Sequence, residues 1–410
     1  MHTTRNYVIK RILAQFQFIS ETINLLLTNK MENISSLLER YFSGQNKGVI
    51  LFFDVDEIAS LINYFLEKED STNLNKIIEL GYELHPDDIN FKIALCKTLI
   101  VTEDFNSALK LIDEDDIKGN KDIDLIRIEC LCELYRLNEA LDLVNDLGNK
   151  GSSYFEEATE HMACVLNDIE KYQKEASCFI QDYLSIFPDN FVLKSELCLN
   201  HELSGNTKEA LELCNNLIDE DPYSAEIWYM QGRLFSLCAD FEKAIDSLDF
   251  AISCAKDNKE LEYEIKFTKA LFLYKNENYE KAISCYNELV SHEEFEASQV
   301  DPYLADCYIS IDDYEKAYKI LKEIIGNEDL DDEVSVLGNF IYCCIETDRK
   351  DEAIEILGEA LKRFPHSILD YISTLNMIKS QHSEILTGKE KIIYPSELAR
   401  NYINSSFHNN

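Results

Sequence analysis

The sequence predicts an all-α fold: a right-handed solenoid of about nine helix hairpins, with a capping helix at the C-terminal end. Leu, Ile, Glu, Lys and Ala dominate the 410 residues, a composition that favours helices. Only 12 Gly and 6 Pro are present, too few for the many tight turns of a β-sandwich or barrel. A small side chain, usually alanine, recurs about every 34 residues, which is a period typical of stacked helix pairs.

Residues 1–30 form a basic extension, because they hold four Lys or Arg residues against one Glu in a chain of net charge −38. Polar residues such as Gln15 and Gln17 interrupt their apolar positions, so they match neither a signal peptide nor a membrane span. An amphipathic surface helix is one interpretation. The abrupt change of composition at Met31 favours another, in which translation begins at Met31 and residues 1–30 are a start-site artefact.

Residues 31–54 are predicted to lead into the first hairpin. A breaker-rich loop, SGQNKG, separates a short helix from the apolar run VILFF, which ends at Asp54. Asp54 and Glu57 have the spacing of a capping box, in which each side chain accepts a hydrogen bond from the other residue's amide at the start of a helix. The first hairpin is therefore predicted to begin at residue 55.

One position in the second helix of each hairpin, here called the alanine slot, tracks the repeats. It is filled by Leu74, Ala108, Ala140, Ala176, Ala210, Ala244, Ala282, Ala317 and Ala353. The slots predict one array over residues 55–365, with hairpins beginning near residues 55, 89, 121, 157, 191, 225, 263, 298 and 334. Four prolines lie twelve residues beyond a slot, where a proline cannot extend the finished helix: Pro86, Pro188, Pro222 and Pro365.

The matching position in the first helix, the first-helix slot, also holds small or mid-sized side chains. It is filled by Ile62, Cys96, Ile128, Cys164, Cys198, Gly232, Ala270, Ala305 and Ile341. After the array, residues 366–382 have the apolar spacing of a helix that would cap the ninth hairpin, as the end of a solenoid requires. Residues 383–410 are predicted to be a polar tail.

The repeat pattern is fullest between Ala225 and Ala251. Its marker residues are Trp228, Gly232 and Phe235, followed by Ala244, Leu248 and Ala251. This stretch resembles the tetratricopeptide repeat (TPR), whose signature is a large aromatic residue, a small one, another aromatic and then alanines. The resemblance is to a bacterial, cytoplasmic type of TPR protein. It implies antiparallel helix pairs whose first helices line a concave groove for a peptide or a partner helix.

The resemblance also implies which side chains line that groove. Carried over one position at a time, they are Lys97, Tyr229, Arg233, Phe267, Leu271, Tyr274, Asp306 and Tyr342. Aromatic side chains give much binding energy at small entropic cost, so we expect a partner with apolar anchors and some Lys or Arg. The alternative is that these rings pack between repeats. Lys97 and Arg233 are isolated, so the Lys and Asn clamp of chaperone-binding TPR proteins is absent.

The net charge of −38 bears on the class of partner. It disfavours nucleic acids and anionic membranes, because proteins that bind them carry a basic surface. Basic or neutral polypeptides fit better, although solubility alone also explains the charge. Mutual repulsion between copies predicts a monomer.

The 13 cysteines predict no metal site, because no Cys-x-x-Cys pair occurs and several fill the first-helix slot. Free thiols in such number indicate a reducing compartment, which predicts the cytoplasm. No cofactor is predicted, since the sequence lacks Gly-rich phosphate loops.

The run VILFFDVDE also has the form of a haloacid-dehalogenase phosphatase motif, in which Asp54 and Asp56 would act as nucleophile and acid. Helical repeats follow at once instead of alternating strands and helices, which favours the capping interpretation of Asp54. We therefore predict a non-enzymatic scaffold or adaptor. A regulatory or assembly subunit of an enzyme complex is the alternative, and an Asp54/Asp56 phosphatase is a remote one.

Overall fold

A computed structural model describes residues 34–47, 51–68, 70–113, 119–256, 258–290, 297–325 and 333–364. Within these ranges the regular structure consists of nineteen α-helices and one short 3₁₀ helix, with no strand. The predicted all-α class is confirmed. The predictions for residues 1–30, 366–382 and 383–410 lie outside the described residues.

The chain divides into two compact units between Ser204 and Gly205. The described helices of the first unit are α1 Ile34–Lys47, α2 Val55–Glu67, α3 Ser71–Leu84, α4 Ile89–Val101, α5 Phe105–Asp113, α6 Lys121–Glu133, α7 Leu137–Asn149, α8 Phe155–Asp168, α9 Gln173–Leu184 and α10 Phe191–Leu203. Those of the second unit are α11 Thr207–Glu220, α12 Ala225–Leu237, α13 Phe241–Cys254, α14 Lys259–Lys275, α15 Tyr279–Val290, α16 Ala297–Ser310, α17 Tyr314–Ile324, α18 Glu333–Glu346 and α19 Lys350–Arg363.

Consecutive helices pair as hairpins within each unit. In the first unit the pairs are α2–α3, α4–α5, α6–α7 and α8–α9, and in the second α12–α13, α14–α15, α16–α17 and α18–α19. The alanine slot is buried throughout, since the nine side chains are at most 3% exposed. The first-helix slots are buried too, except that Cys164 is partly exposed. Small side chains at these positions let the paired helices approach closely, which explains their recurrence in the sequence.

The turns that follow the first helices share a backbone feature. Five positions before the alanine slot, seven residues have a positive φ between 58° and 74°: Glu103, Tyr135, Gly205, Ala239, Glu277, Asp312 and Asp348. At Ala239 the amide donates to the Ser236 carbonyl (3.0 Å), and the next amide, of Asp240, donates to the Phe235 carbonyl (3.0 Å). This pair of bonds is the Schellman motif that ends helices, and six of the seven turns have it.

The same residue that closes the Schellman motif starts the second helix. Asp240 accepts a hydrogen bond from the Lys243 amide (3.3 Å) at the start of α13, and Asp313 does the same for Lys316 (3.3 Å) in α17. One left-handed residue and one cap therefore connect the two helices, which fixes the hairpin geometry that positions the first helices.

Candidate protein-binding face

Seven of the eight residues predicted to bind a partner lie on first helices of the second unit. They are Tyr229 and Arg233 on α12, Phe267, Leu271 and Tyr274 on α14, Asp306 on α16, and Tyr342 on α18. We call these seven residues the first-helix face. The eighth, Lys97, lies on α4 in the first unit and is only 7% exposed. Lys97 is therefore not part of the first-helix face.

Tyr229 connects α12 to the next first helix, α14. Its hydroxyl donates a hydrogen bond of 2.9 Å to Glu264 Oε1 and lies 3.0 Å from Thr268 Oγ1. Burial raises the pKa of this hydroxyl, and the negative charge of Glu264 raises it further. The Arg233 guanidinium lies 5.3 Å from the centroid of the ring. Tyr229 is thus held on both sides and is only 7% exposed.

Three apolar side chains of the face follow one another along α14. Phe267, Leu271 and Tyr274 have the spacing i, i+4 and i+7, which places them in one stripe along the helix. Each of the three is partly exposed. The Phe267 ring is supported from within the unit by two tyrosines, with centroid distances of 5.8 Å to Tyr286 and 5.1 Å to Tyr303. The α14 stripe is therefore a rigidly backed apolar surface that remains open to solvent.

Asp306 continues the face on α16. It accepts a hydrogen bond from the Asn339 side-chain amide on α18. Burial, and after it the negative charge of Asp306, raises the pKa of Tyr274. On α18, Tyr342 is 7% exposed and its ring stands edge-on to Tyr314 at 5.7 Å. Consecutive first helices of this unit are thus linked by contacts between residues of the face and their polar neighbours.

These positions differ in what they offer a partner. Tyr229 and Tyr342 are buried by the stacking of hairpins, so most of each ring already packs within the unit. The partly exposed members are Arg233, Phe267, Leu271, Tyr274 and Asp306. This arrangement offers apolar contact, one cation and one carboxylate, which suits recognition of a polypeptide surface.

Sequence reasoning missed the polar partners of the face. Glu264, Thr268 and Asn339 hydrogen-bond to Tyr229 or Asp306 across neighbouring helices. Asn339 carried a usable signal, because it lies in the middle of the apolar helix α18 and is only 5% exposed. A buried amide requires hydrogen-bond partners, so an isolated Asn in such a helix predicts a contact with a neighbouring element.

The first unit has a comparable polar link between first helices α8 and α10. The Asn167 amide donates to Glu196 Oε2 (2.8 Å), the Cys164 thiol donates to Glu196 Oε1 (3.3 Å), and the Asn200 amide donates to Asn167 Oδ1 (2.9 Å). Burial raises the pKa of Glu196, although the hydrogen bonds from Asn167 and Cys164 oppose the rise. Neutral donors hold this carboxylate, so the link rigidifies the α8–α10 contact without a buried ion pair.

The capping interpretation of Asp54 is confirmed. The Asp54 amide donates to Glu57 Oε2 (2.9 Å), and the Glu57 amide donates to Asp54 Oδ1 (2.8 Å). The residues from Leu51 to Asp54 have no regular secondary structure, and α2 begins at Val55. Asp54 therefore does not end a buried strand, which the phosphatase interpretation requires.

No group of three or more His, Cys, Asp or Glu side chains in the described ranges is arranged to hold a metal ion. Among the helices of those ranges, none combines the length and apolar character needed to cross a bilayer.

Comparison with known proteins gives a family match inside the second unit. Residues 275–360, from the end of α14 into α19, match the family described as anaphase-promoting complex, cyclosome, subunit 3. A protein of Dictyostelium discoideum named anaphase-promoting complex subunit 7 is 24% identical over 216 residues. That match covers 49% of this chain and 35% of the relative, so the chain spans about a third of the relative's length.

The buried slots, the repeated hairpins and the family match agree on the repeat type. The fold is that of a tetratricopeptide-repeat protein. Its assignment to a bacterial type stays a prediction.

Solved TPR structures align with parts of the chain. The TPR protein YrrB, whose structure is described as having an unusual peptide-binding site, is 12% identical, with a TM-score of 0.39; the match covers 50% of this chain and 98% of YrrB. A TPR protein of Parabacteroides merdae is 14% identical with a TM-score of 0.41, covering 61% of this chain and 96% of the other. Likenesses of this size carry no information about function.

Proposed function

We propose that this TPR protein is a non-catalytic assembly subunit that holds a protein partner on its first-helix face. The observation that carries the proposal is the α14 stripe, in which Phe267, Leu271 and Tyr274 lie in one row and remain partly exposed. An apolar stripe on a helix that already has its hairpin partner is typical of a surface that packs against another polypeptide.

The names of similar proteins support the subunit role. Both the matching family and the Dictyostelium relative are named as subunits of the anaphase-promoting complex. The family match spans residues 275–360, which include Asp306 and Tyr342 of the first-helix face. We infer that the hairpins of the second unit are the framework through which this chain joins a multi-protein assembly.

The chemistry of the partner follows from the face and from the charge of the chain. Apolar anchors would pack on the α14 stripe, and Lys or Arg side chains would be attracted by Asp306 and by the net charge of −38. All 13 cysteines are free thiols, which supports a reducing compartment, the cytoplasm. The chain would enter the assembly as a single copy.

An adaptor that exchanges partners is the second candidate, and stoichiometry separates the two roles. The full chain is affinity-purified from its native cells in about 0.05 M and about 0.5 M NaCl. An assembly subunit brings down the same proteins at a fixed ratio in both salts. An adaptor brings down sub-stoichiometric partners that change between preparations. Recovery of the chain alone in both salts would contradict both roles.

A matched pair of variants tests the face. Leu271→Glu places a charge in the α14 stripe, whereas Leu237→Glu changes a leucine at the end of α12 that is 59% exposed and outside the stripe. Both are expected to keep the helical circular dichroism of the parent. Leu271→Glu should lose the co-purifying proteins and Leu237→Glu should keep them. If both variants retain the co-purifying proteins equally, the proposal that the first-helix face binds them is contradicted.

A further inference from the structure

The first unit contains a cleft that the first-helix face does not include. The cleft lies between the second helices α7 and α9, above the first helix α8, and has a volume of about 780 Å³. Seven large apolar side chains line most of it: Leu137, Leu141, Phe155, Leu166, Phe179, Tyr183 and Ile186. This volume is in the range of pockets that accept one or two large side chains or a small molecule.

The walls of the cleft are held in place by packing. A methyl group on Gly148 would lie 2.7 Å from Phe155 Cζ, so the missing side chain lets the Phe155 ring lie directly on α7. Phe179 and Tyr183 form the α9 wall, with ring centroids 4.5 Å apart. The Tyr183 hydroxyl donates a hydrogen bond of 3.1 Å to Asn145 Oδ1 on α7, which ties the two walls together. A site of this kind needs little rearrangement to accept a ligand.

The rim of the cleft is acidic. Helix α7 carries three carboxylates and no Lys or Arg, and α9 carries two carboxylates and one lysine. Glu139 and Asp146 pair with the flanking Arg136 and Lys150. The charged residues that line the cleft itself are Glu175, Asp182 and Lys174, all on α9 and exposed, and the two carboxylates form no ion pair within the described ranges. An apolar cleft lined by two carboxylates and one lysine, in an acidic chain, is complementary to an apolar anchor flanked by cations.

We propose that this cleft docks a segment of a protein partner that inserts a large apolar side chain and places Lys or Arg on the rim. The inference rests on the proposed protein-binding role and assigns to it a second surface, formed by second helices. Ile186, at one end of the cleft, is 56% exposed and would be covered by the inserted segment. Glu175 and Asp182 would bind the flanking cations.

The probe is a synthetic amphipathic helical peptide with Leu and Trp on one face and Lys on the other, titrated against the full chain. A scrambled peptide of the same composition and an analogue with Glu in place of Lys are the controls. We expect saturable binding of the first peptide only, weakened by salt. Absence of saturable binding below about 0.1 mM, an affinity expected of even a modest peptide interaction, would overturn the proposal.

Two variants with the same change of charge locate the binding. Ile186→Lys puts a cation at the cleft, and Leu237→Lys puts one at a leucine of similar exposure, 59%, in the other unit. We expect Ile186→Lys to weaken peptide binding at least tenfold and Leu237→Lys to leave it within twofold. Equal weakening by the two would show attraction to the acidic chain in general and would overturn the assignment to the cleft.

Thiol labelling gives a readout that does not depend on affinity. Cys178 is exposed and lines the cleft, whereas Cys238 is exposed in the second unit. Bound peptide should slow the reaction of maleimide with Cys178 and leave Cys238 unchanged. If partner proteins co-purify with the chain but Cys178 in that complex still reacts with maleimide, the cleft proposal is contradicted and the proposed assembly role is not. If the chain purifies without partner proteins but binds the peptide, the proposed assembly role is contradicted and the assignment of peptide binding to the cleft is retained.

Discussion

Gly232 on α12 lies directly against Leu248 on α13. A methyl group built at Gly232 would come within 2.8 Å of Leu248 Cδ2 and 3.1 Å of the Ala244 carbonyl oxygen. Leu248 and Ala244 are fully buried, so neither can move into solvent. The closest approach of the two helices of this hairpin therefore depends on the absence of a side chain at position 232.

Gly232→Ala should lower the free energy of unfolding by about 1 kcal/mol. Overpacking a buried contact costs about 1–3 kcal/mol, which outweighs the gain of about 1 kcal/mol from replacing Gly by Ala in a helix. The measurement is urea unfolding followed by Trp228 fluorescence, which reports on α12 because Trp228 is the only tryptophan. In a Leu248→Ala background only the 3.1 Å contact with the Ala244 carbonyl oxygen remains, so the same substitution should lower the free energy of unfolding less. An equal loss of unfolding free energy with and without Leu248→Ala would show that contact with Leu248 does not cause the destabilisation.

The small residues that meet inside the hairpins could be predicted from the sequence, because the packing imposes a strict size limit at a fixed period. The buried slots Ala244 and Gly232 illustrate this. The division between the units at Ser204 and Gly205 could not be predicted, since the repeat pattern continues through it without a change of period. The periodicity records where small side chains recur, and the boundary between the two units does not interrupt it.

The turn residues with a positive φ could not be predicted from the sequence either. Glycine is the residue expected at a positive φ, yet Tyr135, Ala239 and Asp348 adopt it as Gly205 does. The Schellman hydrogen bonds at six of these turns compensate for the backbone strain, so the fold tolerates ordinary side chains there. Because main-chain hydrogen bonds stabilise these turns, their residue types do not reveal the positive φ.

Ala239→Gly should raise the free energy of unfolding by about 0.5–1 kcal/mol, because glycine adopts a positive φ without the strain that an L side chain meets. Ala239 has φ 58° and is exposed, so its methyl group contributes no core packing. Thermal and urea unfolding of the variant and parent measure the change.

Gly205→Ala is the matched control and should change stability in the opposite sense. A methyl group there would have no heavy atom within 4 Å, so any loss reports the backbone conformation at φ 74° alone. We expect a loss of about 1 kcal/mol. If Ala239→Gly and Gly205→Ala change the free energy of unfolding in the same direction, backbone strain at a positive φ is not the cause.

Tyr286→Phe should stabilise the protein by about 1 kcal/mol, because its buried hydroxyl has no hydrogen-bond partner among the described residues, and such a group costs about 1–3 kcal/mol. Phenylalanine would keep the ring contacts with Phe267 and Tyr303. Tyr229→Phe is the control, since its hydroxyl bonds to Glu264, and it should lose about 1–2 kcal/mol. Urea midpoints at an unchanged m-value would measure both. A loss in Tyr286→Phe as large as in Tyr229→Phe would contradict the prediction.

The sequence predicted which positions belong to the first-helix face, but it predicted their exposure only in part. The repeat register gave the positions of Phe267 and Leu271, which are partly exposed. It gave Tyr229 and Tyr342 equally, but both are buried. Tyr229 contacts Glu264 of the next hairpin, and Tyr342 contacts Tyr314 of the preceding one. Exposure at these positions depends on side chains about 35 residues away, one repeat along the chain, and a helical period carries no information about them.

Asp301 on α16 should make the stability of the second unit depend on pH. Burial, and after it the negative charge of Glu323, raises the pKa of Asp301 from 3.8 to about 6. Between these two values the folded protein keeps a proton that the unfolded chain has released. The ionisation of Asp301 therefore lowers the free energy of unfolding as the pH rises through this window.

Asp301→Asn removes that ionisation and should be more stable than the parent above about pH 7, where the parent carries the costly charge. The difference should shrink as the pH falls and disappear below about pH 3, where Asp301 is protonated in both states of the parent. Urea unfolding followed by Trp228 fluorescence at a series of pH values measures this difference. Glu323→Gln should shift the step to lower pH, because the second cause of the raised pKa is gone. A difference between Asp301→Asn and the parent that stays constant from pH 4 to pH 7 would show that Asp301 does not titrate in this window.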